Sequence, residues 1–237
     1  MQEAEGGKSE MSKAEKLKQE FNQWAEDGRG DEMERHHLPI FEPVLPLMDV
    51  KSSDRVLDLG CGSGWATRLV AKRFRPKKIV GIDISEEMVR LAAQHSEGIA
   101  NIDFHQGAAE KIPLPDASVD KIFSIESFYY WPDQMAGLKE AKRVLAPSGK
   151  LFILINLYKD NHYSLRWGVE LKVPVHALSQ AEYVELLTKA GFTGAEGQSI
   201  PDNSPTPDEY SGKWFKSAKE LREFKQIGAL LLIARRP

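Results

Sequence analysis

The 237-residue sequence has a single cysteine, no long apolar run and no marked excess of either charge, and each shortage excludes a class of protein. One thiol, Cys61, can form neither an intrachain disulfide nor a cysteine-rich zinc site, so the chain reads as intracellular or indifferent to redox state. The longest apolar stretch, Ile227 to Ala234, is strand-sized and carries a glycine, well short of the ~18 residues that a membrane span needs. Met1 to Lys16 mixes charges of both signs without an apolar core, unlike a secretory signal, and the expected location is the cytoplasm. Thirty-two basic against 35 acidic residues leave a net charge of -3 and no strong field for a polyanion, so nucleic acid is not an expected partner.

What is present is a globular composition, 41% hydrophobic with five tryptophans, in a chain long enough to bury a large core unaided. Residues 1–11 are polar and aperiodic and are expected to be a disordered tail. Ser12 and Glu15 then form a capping box, and Ala14, Leu17, Phe21 and Trp24 follow at helical spacing. After the break at Gly28 to Gly30, a second segment runs from Asp31 to Met48. From Val56 onward the pattern alternates in kind. Apolar runs at 56–59, 79–84, 102–105, 119–125 and 150–156 predict strands, and helical spacing at 65–74, 86–94 and 134–145 predicts helices between them. Continuous apolar strands separated by amphipathic helices imply a parallel sheet covered on both faces, a Rossmann-like, doubly wound α/β fold.

A second capping box at Ser179 and Glu182 predicts a helix with Tyr183, Leu186, Leu187 and Ala190 inward. The runs at 195–200 and 227–234 are separated by a segment rich in Pro, Ser and Asn, without an obvious helix. They are expected to close a mostly parallel, seven-stranded sheet as an antiparallel hairpin at one edge. The expected organisation is a single domain over residues 12–237, with an N-terminal helical cover at 12–50 and aromatic lid insertions at 157–178 and 201–226.

The first strand runs through Asp58-Leu59-Gly60-Cys61-Gly62-Ser63-Gly64-Trp65 straight into a helix. Glycines at alternate positions permit a sharp turn and close approach of a ligand, and the helix start offers unpaired N–H groups. Asp83 closes the second strand about 20 residues further on, where a carboxylate can accept both hydroxyls of a ribose. A plain strand-to-helix turn would use the same glycines. The spacing is G-x-G-x-G rather than the dinucleotide G-x-G-x-x-G, and Asp58 next to the loop would repel a pyrophosphate but suit an ammonium or sulfonium cation.

With these residues the chain resembles the class I S-adenosylmethionine-dependent methyltransferases. The matching stretches are Val56 to Gly64, Gly81-Ile82-Asp83-Ile84-Ser85, Gly107-Ala108-Ala109-Glu110 before Ile112-Pro113-Leu114, and Arg143 to Leu151. Within that class it is most similar to the ubiquinone and menaquinone biosynthesis branch, which methylates small molecules. The resemblance implies S-adenosyl-L-methionine as cofactor, with Gly60 and Gly62 close to its methionine part and Asp58 near its amino group. It further implies Asp83 on the ribose, Ile84 and Met88 flanking the adenine, Ala109 and Glu110 at the adenine's polar edge, and Ile125, Glu126 and Trp24 beside the cofactor. Ala108 stands where the family often has Asp, which moves adenine recognition onto backbone groups, Glu110 or water.

The segment Ser124-Ile125-Glu126-Ser127-Phe128-Tyr129-Tyr130-Trp131-Pro132-Asp133 leaves the sheet at its carboxyl edge, where open α/β sheets bind substrates. It lacks the Asn or Asp-Pro-Pro-aromatic motif of base methyltransferases. The expected acceptor is therefore a small molecule, aromatic or apolar to match the lids. Tyr129, His37 and His162 are the candidates for orienting or deprotonating it. No metal is expected, because the adjacent His36 and His37 diverge on a strand or a helix alike. Two other readings remain open at this stage: a cofactor-binding module without catalysis, and a nicotinamide-dependent oxidoreductase. The oligomeric state is not legible.

Overall fold

In the computed structural model, which describes residues 11–171 and 173–237, seven strands form one sheet in the order β3-β2-β1-β4-β5-β7-β6. The tail expected over residues 1–11 lies, except for Met11, outside the described residues. The strands are β1 (Arg55–Leu59), β2 (Lys78–Asp83), β3 (Ile102–Gln106), β4 (Val119–Ile125), β5 (Leu145–Ile155), β6 (Thr193–Ile200) and β7 (Ala229–Arg235). β1 to β5 pair in parallel; β1, β2, β4 and β5 are buried on both faces and read as apolar runs, while β3 at the edge alternates and is largely exposed. Strand order reverses beside β1, so β1 and β4 are neighbours although two helices and two strands separate them in sequence. A crevice opens at such a switch point, outside the carboxyl ends of the strands.

Helices α1 (Lys13–Glu26), α2 (Arg29–Phe41) and α3 (Leu45–Met48) precede the sheet, and α4 (Trp65–Phe74) and α5 (Glu86–His95) follow β1 and β2. The expected capping box at Ser12 and Glu15 is formed, and Ser85 caps α5 by accepting from the Met88 N–H. Two cores lie on the two faces. One joins Leu57, Leu59 and Ile82 to Phe128, Leu138, Tyr183 and Leu187, and the other joins Val56, Ile79, Phe123 and Phe152 to Phe41, Leu45 and Met48. The second core explains why the segment before β1 is fixed: its Phe41, Val44 and Leu45 are almost fully buried.

The antiparallel hairpin expected at one edge is formed: β7 pairs antiparallel with both β5 and β6, and β6 is the edge strand. One expectation is corrected at the carboxyl end. The stretch expected as an irregular lid ends in a helix, α9 (Ala218–Ile227), capped by Ser217 and anchored by Phe224, whose ring centroid lies 5.0 Å from Phe215 and 5.2 Å from Trp167. The Pro- and Ser-rich start of the connection concealed this helix. In the other insertion, α7 (Trp167–Glu170) is a single turn, and Leu157, Tyr158 and Val173 are buried. Tyr158 donates to the Gly228 carbonyl at 3.1 Å. α6 (Gln134–Val144) and α8 (Gln180–Lys189) run where the helical spacing placed them.

Gly228, the residue between α9 and β7, has φ 81° and ψ 177°, a region essentially reserved for glycine. A Cβ there would stand 2.5 Å from the Ile200 carbonyl oxygen. Gly98 has a similar φ of 82° but open space around it. Gly228→Ala is expected to lose at least ~3 kcal/mol of stability and Gly98→Ala only about 1 kcal/mol, read by denaturant unfolding. Equal losses would show that the close contact at Gly228 is unimportant.

Candidate active site

A cavity of about 460 Å³ opens where β1, β2 and β4 end. Its floor is the glycine loop, Gly60 to Gly62, with Asp83 from β2 and Met88 from α5. Ile125, Glu126, Tyr129 and Tyr130 wall one side after β4. Phe21 and Trp24 from α1, Arg29, Met33, His36 and His37 from α2, and Trp167, Lys213 and Trp214 from the insertions close the rest.

The loop is built for close approach. The N–H groups of Gly60 and Cys61 both donate to the Ile82 carbonyl, at 2.8 and 3.0 Å, which turns the chain back over β2. Gly60 has φ 83°, and a Cβ there would lie 2.0 Å from Ser127 Oγ, so no other residue fits. Asp83, 7% exposed, holds the arrangement: Oδ2 accepts from the Gly62 N–H and Oδ1 from the Ser85 N–H, each at 2.9 Å. Burial nevertheless raises its carboxyl above the ordinary range.

Asp58 takes a different place from the one expected. It is 1% exposed, lines neither this cavity nor the smaller one beside it, and accepts from Thr67 Oγ1 on α4 at 2.6 Å. The carboxylate points behind the loop because Thr67, one turn into α4, offers the donor there. Burial pushes it up to about 7, and the charge of Asp83 adds to the effect.

The smaller space, about 30 Å³, continues from the first between Leu17 and Phe21 of α1 and Ile84, Ala109 and Glu110. Gly60, Asp83, Ser127 and Tyr130 border both. Of the residues expected around the adenine, Ile84, Ala109 and Glu110 border this smaller space, whereas Met88 lines the large cavity together with Tyr129 and His37. Glu110 is engaged at the same time by the Asp133 N–H at 3.0 Å.

Among the catalytic candidates, Tyr129 faces the cavity with its hydroxyl donating to Glu126 Oε2 at 2.9 Å. Burial, then the Glu126 charge, raises the phenol well above its usual value, so it stays protonated. His37 also lines the cavity, and burial with the neighbouring His36 holds it down at about 4, a neutral imidazole at pH 7. His162 is a correction: it is exposed, borders neither cavity and lies against Tyr163, its ring centroid 4.1 Å away. In that turn the buried position belongs to Asn161, whose amide donates to the Phe224 and Gly228 carbonyls, and the next residue is turned outward. Arg29, Met33, Trp65 and Lys213 line the cavity without a sequence signal that marked them, since each stands in a pattern read as surface or scaffold. Among the described residues no group of three or more His, Cys, Asp or Glu could hold a metal ion.

The Asp58 carboxyl has a folded value near 7 against an unfolded value near 4, so the fold binds its proton more tightly. The associated stability is present below about pH 4 and is lost as pH rises toward 7. Asp58→Asn keeps the site neutral, and its stability relative to the parent is expected to rise by roughly 2–4 kcal/mol between pH 4 and pH 8 in urea unfolding. A pH-independent difference would contradict the assignment.

Comparison with known proteins agrees with this geometry. Residues 57–153 match the family described as "Methyltransferase domain". A malonyl-[acyl-carrier protein] O-methyltransferase from Marinomonas sp. is 30% identical over 196 residues, covering 81% of this chain and 70% of that protein. A fatty-acid O-methyltransferase from Mycolicibacterium smegmatis is 32% identical over 119 residues, 50% of this chain and 43% of that protein. The chain spans only 43% to 58% of the length of this and two other curated relatives. A chain from the complex between the Haloferax volcanii Trm112 methyltransferase activator and the putative methyltransferase superposes with a TM-score of 0.87 at 32% identity, covering 92% of this chain and 98% of that one. With a glycine loop, a buried carboxylate at the end of β2 and a fold shared across nearly its whole length with such proteins, this chain belongs to the class I S-adenosylmethionine-dependent methyltransferases.

Proposed function

We propose that the protein transfers a methyl group from S-adenosylmethionine to a small-molecule acceptor by in-line displacement. The observation that carries this reading is one continuous cavity with the glycine loop and Asp83 at one end and an aromatic, hydroxyl-bearing wall at the other. The residues fit the cofactor. Gly60 and Gly62 present bare backbone at positive φ, and Asp83 turns its carboxylate into both spaces. When bound, the cofactor supplies an electrophilic methyl on a sulfonium whose leaving thioether needs no acid.

The chain's own residues then have separate tasks. Gly60 and Gly62 receive the methionine part, Asp83 the ribose, Ile84 and Met88 the faces of the adenine, and Ala109 and Glu110 its polar edge. Trp24, Ile125 and Glu126 border the reacting end, while Asp58 acts through Thr67 by bracing the loop. Tyr129 and His37 orient the acceptor between the walls of Trp167 and Trp214. Alignment and exclusion of water of this kind contribute about 7–11 kcal/mol to such displacements. The acceptor is read as flat or apolar from those walls. Oxidoreduction with a nicotinamide is set aside by the family and by the G-x-G-x-G spacing.

The protein is placed in the cytoplasm on its composition, and among the described residues no helix is long and apolar enough to cross a membrane. The likeness to a chain of the Haloferax volcanii complex supports an activator of the Trm112 kind as a protein partner. Calorimetry should show binding of S-adenosylmethionine and S-adenosylhomocysteine, and Asp83→Ala should weaken both at least tenfold with an unchanged circular dichroism spectrum. Mass spectrometry with methyl-labelled cofactor and a metabolite extract should find label in a small molecule. Binding without any labelled product, even with a Trm112-type protein added, would leave a binding module in place of an enzyme.

A further inference from the structure

Methyl transfer to a neutral acceptor X–H leaves a proton to be removed, and one side chain in the cavity is built to receive it. Glu126 is the first residue beyond β4. Its φ of 51° is left-handed, a conformation that a residue with a side chain rarely adopts and that concentrates at functional sites. The strain turns the carboxylate back into the sheet edge, where Oε1 accepts from the Asn156 N–H at 2.5 Å and Oε2 from the Tyr129 hydroxyl at 2.9 Å. The group still lines the cavity, and the residue after it, Ser127, packs against Gly60 of the cofactor loop. Burial pushes this carboxyl up to about 7, partly offset by the bonds from Tyr129 and Asn156.

We propose that Glu126 is the proton acceptor of the reaction and that the charge of the bound cofactor sets its state: ionised beside the sulfonium, protonated once that charge is gone. The proposal rests on the methyl-transfer reading above. Glu126 takes the proton of X–H while the X–CH3 bond forms and the S–CH3 bond breaks, the electron pair of the latter remaining on sulfur. One cation and one carboxylate become two neutral groups, so no charge is stranded in a buried space. The proton leaves for solvent when the next sulfonium enters.

Other groups share this cavity. Asp83 from β2, Glu32 and Arg29 from α2 and Lys213 from the segment before α9 bring charge, and Cys61, His36, His37 and Tyr130 are the remaining titratable neighbours. All are unchanged in Glu126→Gln, so comparison with that variant isolates one carboxyl.

The test is calorimetry at pH 7 in two buffers of different ionisation enthalpy, which counts protons exchanged on binding. S-Adenosylmethionine should release about half a proton more than S-adenosylhomocysteine, as expected of a half-protonated group driven to ionise. Glu126→Gln, which holds the position neutral, should bind S-adenosylmethionine about fivefold or more weakly than the parent, with S-adenosylhomocysteine affected less, and lose that excess. Tyr129→Phe removes a donor to the ionised carboxylate, so its excess release should peak at higher pH than the parent's. The same release from both ligands, or an undiminished release in Glu126→Gln, overturns the proposal. If Glu126→Gln fails to bind or to fold, an unshifted pH profile in Tyr129→Phe overturns it instead. Failure of the parent to bind S-adenosylmethionine at all would strike the methyltransferase reading, a separate result.

Discussion

The two hydrogen bonds accepted by Asp83 are the constraint on which the site depends. One carboxylate at the end of β2 fixes the Gly62 N–H of the loop and the Ser85 N–H at the start of α5. Ser85 in turn caps α5 with its hydroxyl oxygen and donates to Asn22 Oδ1 on α1 at 2.7 Å. The cover helix, the start of α5 and the glycine loop are therefore registered through Asp83 and Ser85. A parallel connection holds α2, where Ser63 Oγ donates to the Gly30 carbonyl at 2.9 Å. Gly30 has no room for a Cβ, which would approach Ser63 Cβ to 2.9 Å. The N-terminal segment is thus bonded to the loop it covers.

The polar centre contrasts with the walls. Arg29 lies over the Trp24 ring at 5.1 Å and Lys213 over Trp214 at 4.2 Å, so these cations sit on aromatic faces. Tyr130 meets Phe21 edge-on at 5.0 Å, joining α1 to the segment after β4. The cavity thus combines aromatic walls with the charged groups Asp83, Glu126, Glu32, Arg29 and Lys213.

Much of this was legible in the sequence because its signals are local. Strand runs, the capping boxes at Ser12 and Ser179 and the glycine loop each act within a few residues, and the structure has them where the pattern put them. Side-chain direction is not local. Asp58 and Asp83 both lie at the carboxyl ends of neighbouring strands, yet one accepts from Thr67 and the other from the Gly62 and Ser85 N–H groups at the cavity. His37 and His162 looked equivalent as imidazoles on covering segments, and only packing separated the half-buried one at the cavity from the exposed one. α9 was hidden by the Pro- and Ser-rich stretch before it: its apolar residues Ala218, Leu221, Phe224 and Ile227 recur at helical spacing, but their partners Trp167 and Phe215 come from outside the helix.

The narrow space under α1 ties two parts of the site to one helix. Leu17 and Phe21 of α1 border it, and Phe21 and Trp24 of the same helix line the large cavity. α1 is held to α5 by the exposed Lys18–Glu86 pair and by the bond from the buried Ser85 to Asn22. A displacement of α1 therefore alters both spaces at once, and neither can be reshaped without the other.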